Sequence, residues 1–199
     1  RFSKAGALHT KEFCQEHGIP FDEPGKLLVA TTALELERLD ALEERAGIHG
    51  LECERIDQSE LRRREPNVSG LGALFIPSTG IVDYRAVARK LAELVTAAGG
   101  QVLTGARVTT IAEHPDRVDV GTADGGRYPC GQLVACAGLQ SDRIAELAGM
   151  DIDVQIIPFR GEYFALPAAL SGYVRHLIYP VPDPALPFLG VHLTPTTDG

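Results

Sequence analysis

The sequence predicts an α/β fold built in two interleaved parts, and three observations carry that expectation. Short apolar runs bounded by glycine or proline, such as Gly25-Lys26-Leu27-Leu28-Val29-Ala30-Thr31, alternate with helical patterns that open on capping residues. Residues 83–149 hold a strong helix followed by closely spaced β segments, a βαβ-like order with a meander. After Ile152 the pattern changes to strands and proline-rich loops. One part of the fold therefore falls at 83–149, and the flanks 1–82 and 150–199 share one mixed sheet with helices.

The elements follow in order. Residues 4–17 carry helix formers with Leu8, Phe13 and Cys14 as core contacts, and Gly18 supplies the stop. The run 25–31 predicts a strand. Thr32-Ala33-Leu34-Glu35 has the spacing of a capping box, with Leu36, Leu39 and Leu42 at helical period behind it and Gly47 as the terminator. Asp57-Gln58-Ser59-Glu60 is a second such box, opening a short helix that the Glu65–Pro66 step closes, because a residue before proline is driven out of helical geometry. Residues 70–77 read as a strand, 78–80 as a turn. Asp83 caps the next helix, whose stripe is Val87, Leu91, Leu94, Val95 and Ala98, and Gly99-Gly100 ends it. Gln101–Leu103, Val108–Ala112 and Val118–Thr122 predict strands, and Gly125-Gly126 turns the chain toward a further one at Gln132–Cys136. That strand breaks at Ala137-Gly138, and Ser141 or Asp142 opens a helix reaching Gly149. Strands are then expected at Ile156-Ile157, Tyr163-Phe164, Leu177–Tyr179 and Phe188–Leu193, the last two joined by Pro180-Val181-Pro182-Asp183-Pro184.

Composition excludes several classes. With 44% hydrophobic and 23% charged residues, the 199-residue chain can bury a sizeable core. A net charge of −8 without a basic run argues against a nucleic-acid surface. The tripeptide Arg62-Arg63-Arg64 lies near a helix end, where cations favour the helix dipole. Cys14, Cys53, Cys130 and Cys136 form no CxxC pair, which fits free thiols in a reducing compartment. None of the six histidines has a metal-ligand partner at helical spacing, so no metal site is expected. No apolar run approaches the roughly 20 residues of a membrane span, and no signal peptide stands out. These features point to the cytoplasm, with attachment to a membrane surface as an added option. The chain opens at Arg1 and closes on the polar turn Thr197-Asp198-Gly199, so it reads as an internal piece of a longer polypeptide.

The segment Leu133-Val134-Ala135-Cys136-Ala137-Gly138, following a Val108-centred meander and preceding a helix, resembles the late part of the FAD domain in the D-amino-acid-oxidase superfamily. A strand end made of small residues lets a dinucleotide approach the backbone closely. Longer stretches resemble one family within it. Glu16-His17-Gly18-Ile19-Pro20-Phe21, Thr79-Gly80-Ile81-Val82-Asp83-Tyr84, Cys136-Ala137-Gly138-Leu139-Gln140-Ser141-Asp142-Arg143, Pro158-Phe159-Arg160-Gly161-Glu162-Tyr163 and Gly190-Val191-His192-Leu193-Thr194 are similar to the L-2-hydroxyglutarate dehydrogenases, in the same order along the chain. That resemblance implies FAD, oxidation of a small dicarboxylate hydroxy acid, an electron acceptor that is oxygen or a quinone, and a partial FAD-binding doubly wound domain at 83–149 interleaved with a mixed-sheet substrate domain at 1–82 and 150–199. It also implies backbone contacts from Val108 to adenine and a flavin-side turn at Cys136, Ala137 and Gly138.

One departure matters. The family's glycine-rich G-x-G-x-x-G turn, which holds the pyrophosphate at a helix amino terminus, has no counterpart here; Gly70-Leu71-Gly72-Ala73-Leu74-Phe75 lacks the third glycine. The FAD site in this chain is thus expected to be incomplete, and uncovered strand edges invite self-association.

Removing a hydroxyl proton needs a base, and a dicarboxylate needs fixed cations. Arg160 is the first choice as carboxylate clamp, and pairing with Glu162 is the equal alternative. His192, in an otherwise apolar strand, is the candidate base, since an ordinary imidazole titrates near ~6.5; a hydrogen-bonded core histidine is the bland reading. Tyr163 and Tyr179 are candidate donors to a carboxylate, and Lys26 a candidate partner for the distal one. Rival functions are a flavin oxidoreductase acting on glycerol 3-phosphate or a small amine, and a folded, non-enzymatic fragment.

Overall fold

The computed structural model describes residues 2–186 and 190–197. The chain divides into two compact units, Arg1–Leu94 with Ala165–Gly199, and Val95–Phe164.

The first unit opens with α1 (Phe2–His17), which buries Cys14 and stops at Gly18 in a left-handed conformation, φ 64°. β1 (Phe21–Asp22) and β2 (Lys26–Ala30) follow. α2 (Ala33–Ile48) begins with the expected box: Thr32 Oγ1 accepts from Glu35 N at 3.2 Å, and Glu35 accepts from Thr32 N at 3.0 Å. Gly47 does not end it. The helix passes through this glycine, and the turn comes at Gly50, φ 60°. β3 (Glu54–Asp57) leads into α3 (Gln58–Arg64), capped by Asp57, whose carboxylate accepts from Glu60 N at 2.8 Å. The second box is only half made, because Glu60 turns to Arg63 and Arg64 at 2.6 Å each. β4 (Gly72–Ile76), β5 (Ile81–Val82) and α4 (Tyr84–Ala97) complete this stretch. Asp83 accepts from Arg85 N at 2.8 Å. The stripe of α4 is present but not buried; Leu91, Leu94 and Val95 are 40–49% exposed.

In the second unit, β6 (Val108–Glu113), β7 (Val118–Thr122) and β8 (Arg127–Cys130) form an antiparallel meander, with Gly125 at φ 88° in the turn between the last two. After a 3-10 turn at Gly138–Gln140, α5 (Ser141–Leu147) ends ahead of Gly149. Asp142 ties the chain beyond α5 by accepting from Ile156 N at 3.0 Å.

Four expected strands do not form among the described residues. Gln101–Leu103, Gln132–Cys136, Ile156-Ile157 and Tyr163-Phe164 lie outside any ladder, and Val134 and Phe164 are 83% and 90% exposed. Apolar, β-branched composition favours a strand only where a neighbouring strand accepts its hydrogen bonds, and no described segment does so here. The chain instead forms β8 directly after the 125–126 turn, pairing Val118 with Cys130, a strand the sequence reading placed later, at Gln132–Cys136.

The chain returns to the first unit as β9 (Leu177–Pro180). The main sheet has the order β3-β4-β2-β9, antiparallel except for the parallel pair β2–β9, while β1 and β5 form a separate ribbon. The expected strand at Phe188–Leu193 falls partly outside the described residues; Leu193 makes an antiparallel bridge to Ile178, with both N–H···O distances 2.9 Å.

β2 reads as a continuous apolar run because both its faces are covered. Leu27 and Val29 pack with Ile56, Leu61, Ala73 and Ile178 on one side; Leu28 and Ala30 pack with Leu39, Leu74, Ile76 and Val181 on the other. Burying a leucine fully is worth about 1.5–3 kcal/mol, and Leu27, Leu39, Leu61 and Leu74 are all less than 2% exposed. The mixed α/β class read from the sequence is the class observed.

Candidate active site

The parallel pairing of β2 with β9 decides which polar side chains meet. Lys26 is opposite Leu177, and Leu28 opposite Tyr179. Gly25 enters β2 at φ 75°, and a Cβ there would collide with the Phe75 ring, so only glycine lets the chain reach Lys26 along this path. The Lys26 ammonium lies 5.5 Å from the centre of the Tyr179 ring, within cation–π range. On Tyr179 the His192 ring is stacked, centroids 4.4 Å apart and planes 15° apart. Three residues singled out in the sequence, Lys26, Tyr179 and His192, thus form one contiguous group in the first unit.

The electrostatics of this group favour anion capture. Burial holds the Lys26 pKa below the usual lysine value, the mark of a cation short of water. His192 Nδ1 is 3.2 Å from Gly190 O. A carbonyl can only accept, so Nδ1 carries the proton of this bond and the lone pair of the neutral ring sits on Nε2.

Arg160 and Tyr163 belong to the second unit. Arg160 is paired with Glu162 at 3.4 Å, both strongly exposed, which is the alternative stated for it above. Tyr163 is 82% exposed.

The second unit also holds an open cleft of about 570 Å³ lined by Arg107, Val108, Ala137, Gln140, Arg143, Ile144 and Leu147. It brings together Val108 and Ala137, two of the expected cofactor contacts; Cys136 is exposed, and Gly138, φ 55°, begins the 3-10 turn. Arg107, Gln140 and Arg143 were not singled out in the sequence. The signal was available: Gln140, Arg143, Ile144 and Leu147 recur at the i, i+3, i+4, i+7 spacing of one helical face. Two guanidinium groups, one carboxamide and an apolar wall suit a ligand with phosphates and a flat ring. Among the described residues no group of His, Cys, Asp and Glu could hold a metal ion.

Comparison with known proteins agrees with that chemistry. Residues 1–199 match the DAO family, FAD dependent oxidoreductase. The chain belongs to this FAD-dependent oxidoreductase family. It is 47% identical to the L-2-hydroxyglutarate dehydrogenase of Escherichia coli (strain K12) over 199 residues, covering 100% of this chain and 47% of that protein. To the mitochondrial L-2-hydroxyglutarate dehydrogenase of Homo sapiens it is 43% identical over 212 residues, covering 98% and 44%. The chain therefore spans about half the length of the curated relatives it matches. Among solved structures, L-proline dehydrogenase from P. horikoshii superposes with a TM-score of 0.71 at 17% identity, covering 89% of this chain and 48% of that one. Glycine oxidase from Geobacillus kaustophilus gives 0.68 at 19% identity, covering 85% and 46%. These two share the fold. As a member of the family the chain is part of a flavoprotein that uses FAD, and the donor set of the 107–147 cleft fits that group.

Proposed function

We propose that the whole protein oxidises L-2-hydroxyglutarate to 2-oxoglutarate, and that this chain supplies its base and part of its carboxylate site. The observation that carries the reading is the meeting of Lys26, Tyr179 and His192 in a chain 43–48% identical to L-2-hydroxyglutarate dehydrogenases. FAD, when bound, supplies the hydride acceptor for the α-carbon of the substrate. The Lys26 ammonium and the Tyr179 hydroxyl hold a carboxylate, the first by charge and the second by donating a hydrogen bond. His192 accepts the hydroxyl proton at Nε2, and the Gly190 carbonyl keeps the ring in the tautomer that can do so. In the second unit, Arg107 and Arg143 bind phosphate oxygens of the cofactor, while Ile144 and Leu147 pack on its apolar parts.

Electrons leave to oxygen or a quinone. The four free cysteines support a reducing compartment such as the cytoplasm. No helix among the described residues is long and apolar enough to cross a membrane, and docking at a membrane surface is compatible with this reading. The test uses the full-length protein with FAD bound: anaerobic bleaching of the flavin by L-2-hydroxyglutarate, with 2-oxoglutarate as product. Faster bleaching by glycerol 3-phosphate or a small amine overturns the substrate assignment.

A further inference from the structure

Glu65 closes α3 ahead of Pro66, a place where a solvated acid is expected, yet its side chain is completely buried. One oxygen, Oε1, does all the bonding: it accepts from Arg175 N at 2.8 Å and from His176 N at 2.7 Å, and lies 2.6 Å from His176 Nδ1. The other, Oε2, is buried with no hydrogen-bond partner. Taking a carboxylate out of water costs several kcal/mol. Closing α3 does not by itself call for a buried carboxylate, since helix ends are ordinarily closed by groups that stay in contact with water.

The three donors have one thing in common. They belong to the two residues immediately ahead of β9, which starts at Leu177. No tight turn joins β9 to its neighbour β2, so its register depends on what grips its leading end. Glu65 grips residues 175 and 176, Asn67 Nδ2 donates to Tyr173 O at 2.8 Å, and Leu177 N donates to Gly25 O at 3.0 Å. The His176 ring also meets the edge of Phe75, centroids 5.4 Å apart, and Phe75 is the ring that fills the space beside Gly25. From Glu65, packed contacts therefore reach both strand ends that carry the site, Lys26 through Phe75 and Gly25, and Tyr179 through β9.

We propose that Glu65 is a positioning residue that sets the register of β9 on β2 and so holds Tyr179 between Lys26 and His192. A slip of one residue would turn Tyr179 to the opposite face of the sheet and dissolve the group. This inference rests on the reading of Lys26, Tyr179 and His192 as the hydroxy-acid site.

The test is a double-mutant cycle in the full-length, FAD-loaded protein, with KM, kcat, flavin content and Tm as readouts. Glu65→Gln keeps an acceptor for the two amides but removes the charge that strengthens all three bonds. It is expected to raise KM for L-2-hydroxyglutarate about tenfold, the equivalent of one charge-assisted bond, with kcat within about twofold and flavin content unchanged. Tyr179→Phe alone also raises KM. In the Tyr179→Phe background Glu65→Gln adds less than about a factor of two, because its effect acts through the ring already altered. Full multiplication of the two losses, or a lowered Tm with unchanged KM, makes Glu65 merely structural and overturns the proposal. Should Glu65→Gln not fold, His176→Asn takes its place, removing the ring but retaining a donor, with the same rise and the same non-additivity expected. If Tyr179→Phe leaves KM unchanged, the site assignment itself fails; if Tyr179→Phe raises KM while both Glu65→Gln and His176→Asn do not, only the positioning role fails.

Discussion

His192→Gln separates a base from a packing partner by magnitude. The contacts that hold the ring include the stack on Tyr179 at 4.4 Å and the Nδ1 bond to Gly190 O at 3.2 Å. The stack is worth about 0.5–1.5 kcal/mol and the hydrogen bond about as much again. Glutamine keeps a donor but loses the aromatic face, so the structural loss is about 1 kcal/mol, lowering Tm by a few degrees. A positioned general base contributes about 10²–10⁴ in rate, which corresponds to ~2.7–5.4 kcal/mol at 1.36 kcal/mol per decade. Lost packing cannot mimic that in the protein that remains folded. The assay is anaerobic single-turnover flavin reduction in the full-length protein, normalised to bound flavin, across pH. Reduction should slow by about two to four decades. An unchanged rate per flavin alongside a lower Tm would refute the assignment and leave His192 as a partner of Tyr179.

Three further outcomes are expected. Lys26→Met should weaken binding of the dicarboxylate yet raise stability at neutral pH. Burial lowers the folded-state pKa of Lys26, so its charging costs stability below that pKa, a cost that vanishes only as pH rises past the ordinary value near 10.5. In the parent protein, substrate affinity should fall as pH rises through the lowered value, and titrations of both proteins check this. For Glu60, Arg63 and then Arg64 hold the carboxyl at about 2, against 4.5. Its contribution is present above the ordinary value and lost as pH falls toward 2, so Glu60→Gln should lower Tm slightly at neutrality, converge with the parent as pH falls toward 2, and so flatten the acid side of the Tm–pH curve. The 199-residue chain alone should self-associate and retain no stoichiometric flavin, because it exposes Val134, Ile157 and Phe164 by 68–90% and has no G-x-G-x-x-G turn. A monomer in light scattering, or a yellow preparation, would contradict these.

What was legible in the sequence was local. Thr32, Asp57 and Asp83 announce their helices because a cap acts within three residues. The strand at Lys26–Ala30 was legible because both its faces are buried. Gln132–Cys136 carries as strong an apolar signal, but a ladder also needs a partner, and composition does not say whether one is present. The same limit governs the site. Lys26, Tyr179 and His192 stand out as residue types, whereas their meeting depends on the parallel pairing of β2 and β9 and on the bridge from Ile178 to Leu193, contacts between distant parts of the chain. Glu65 was legible only as the residue before the proline that closes α3, an ordinary place for an acid, and its complete burial is what sets it apart.

The placement of charge in the first unit argues that this end of the sheet is kept for chemistry rather than stability. Elsewhere its core is leucine, isoleucine, valine and alanine in two tight clusters, and its ion pairs, such as Arg63 with Glu60 or Arg55 with Asp40, retain solvent on at least one partner. Where β2 begins and β9 arrives, the pattern reverses. Lys26 is an ammonium whose pKa burial has lowered, and Glu65 is a carboxylate with an unsatisfied buried oxygen. An apolar side chain of similar volume would relieve the burial of the Lys26 ammonium, and a side chain without the unsatisfied oxygen would relieve that of Glu65. Local rules broken together at one place usually mark a functional site. The carboxylate of Glu65 bonds to Arg175 and His176, and Lys26 makes its contact with the Tyr179 ring. A cation so placed is suited to binding an anion that arrives from solution, and a small dicarboxylate is such an anion.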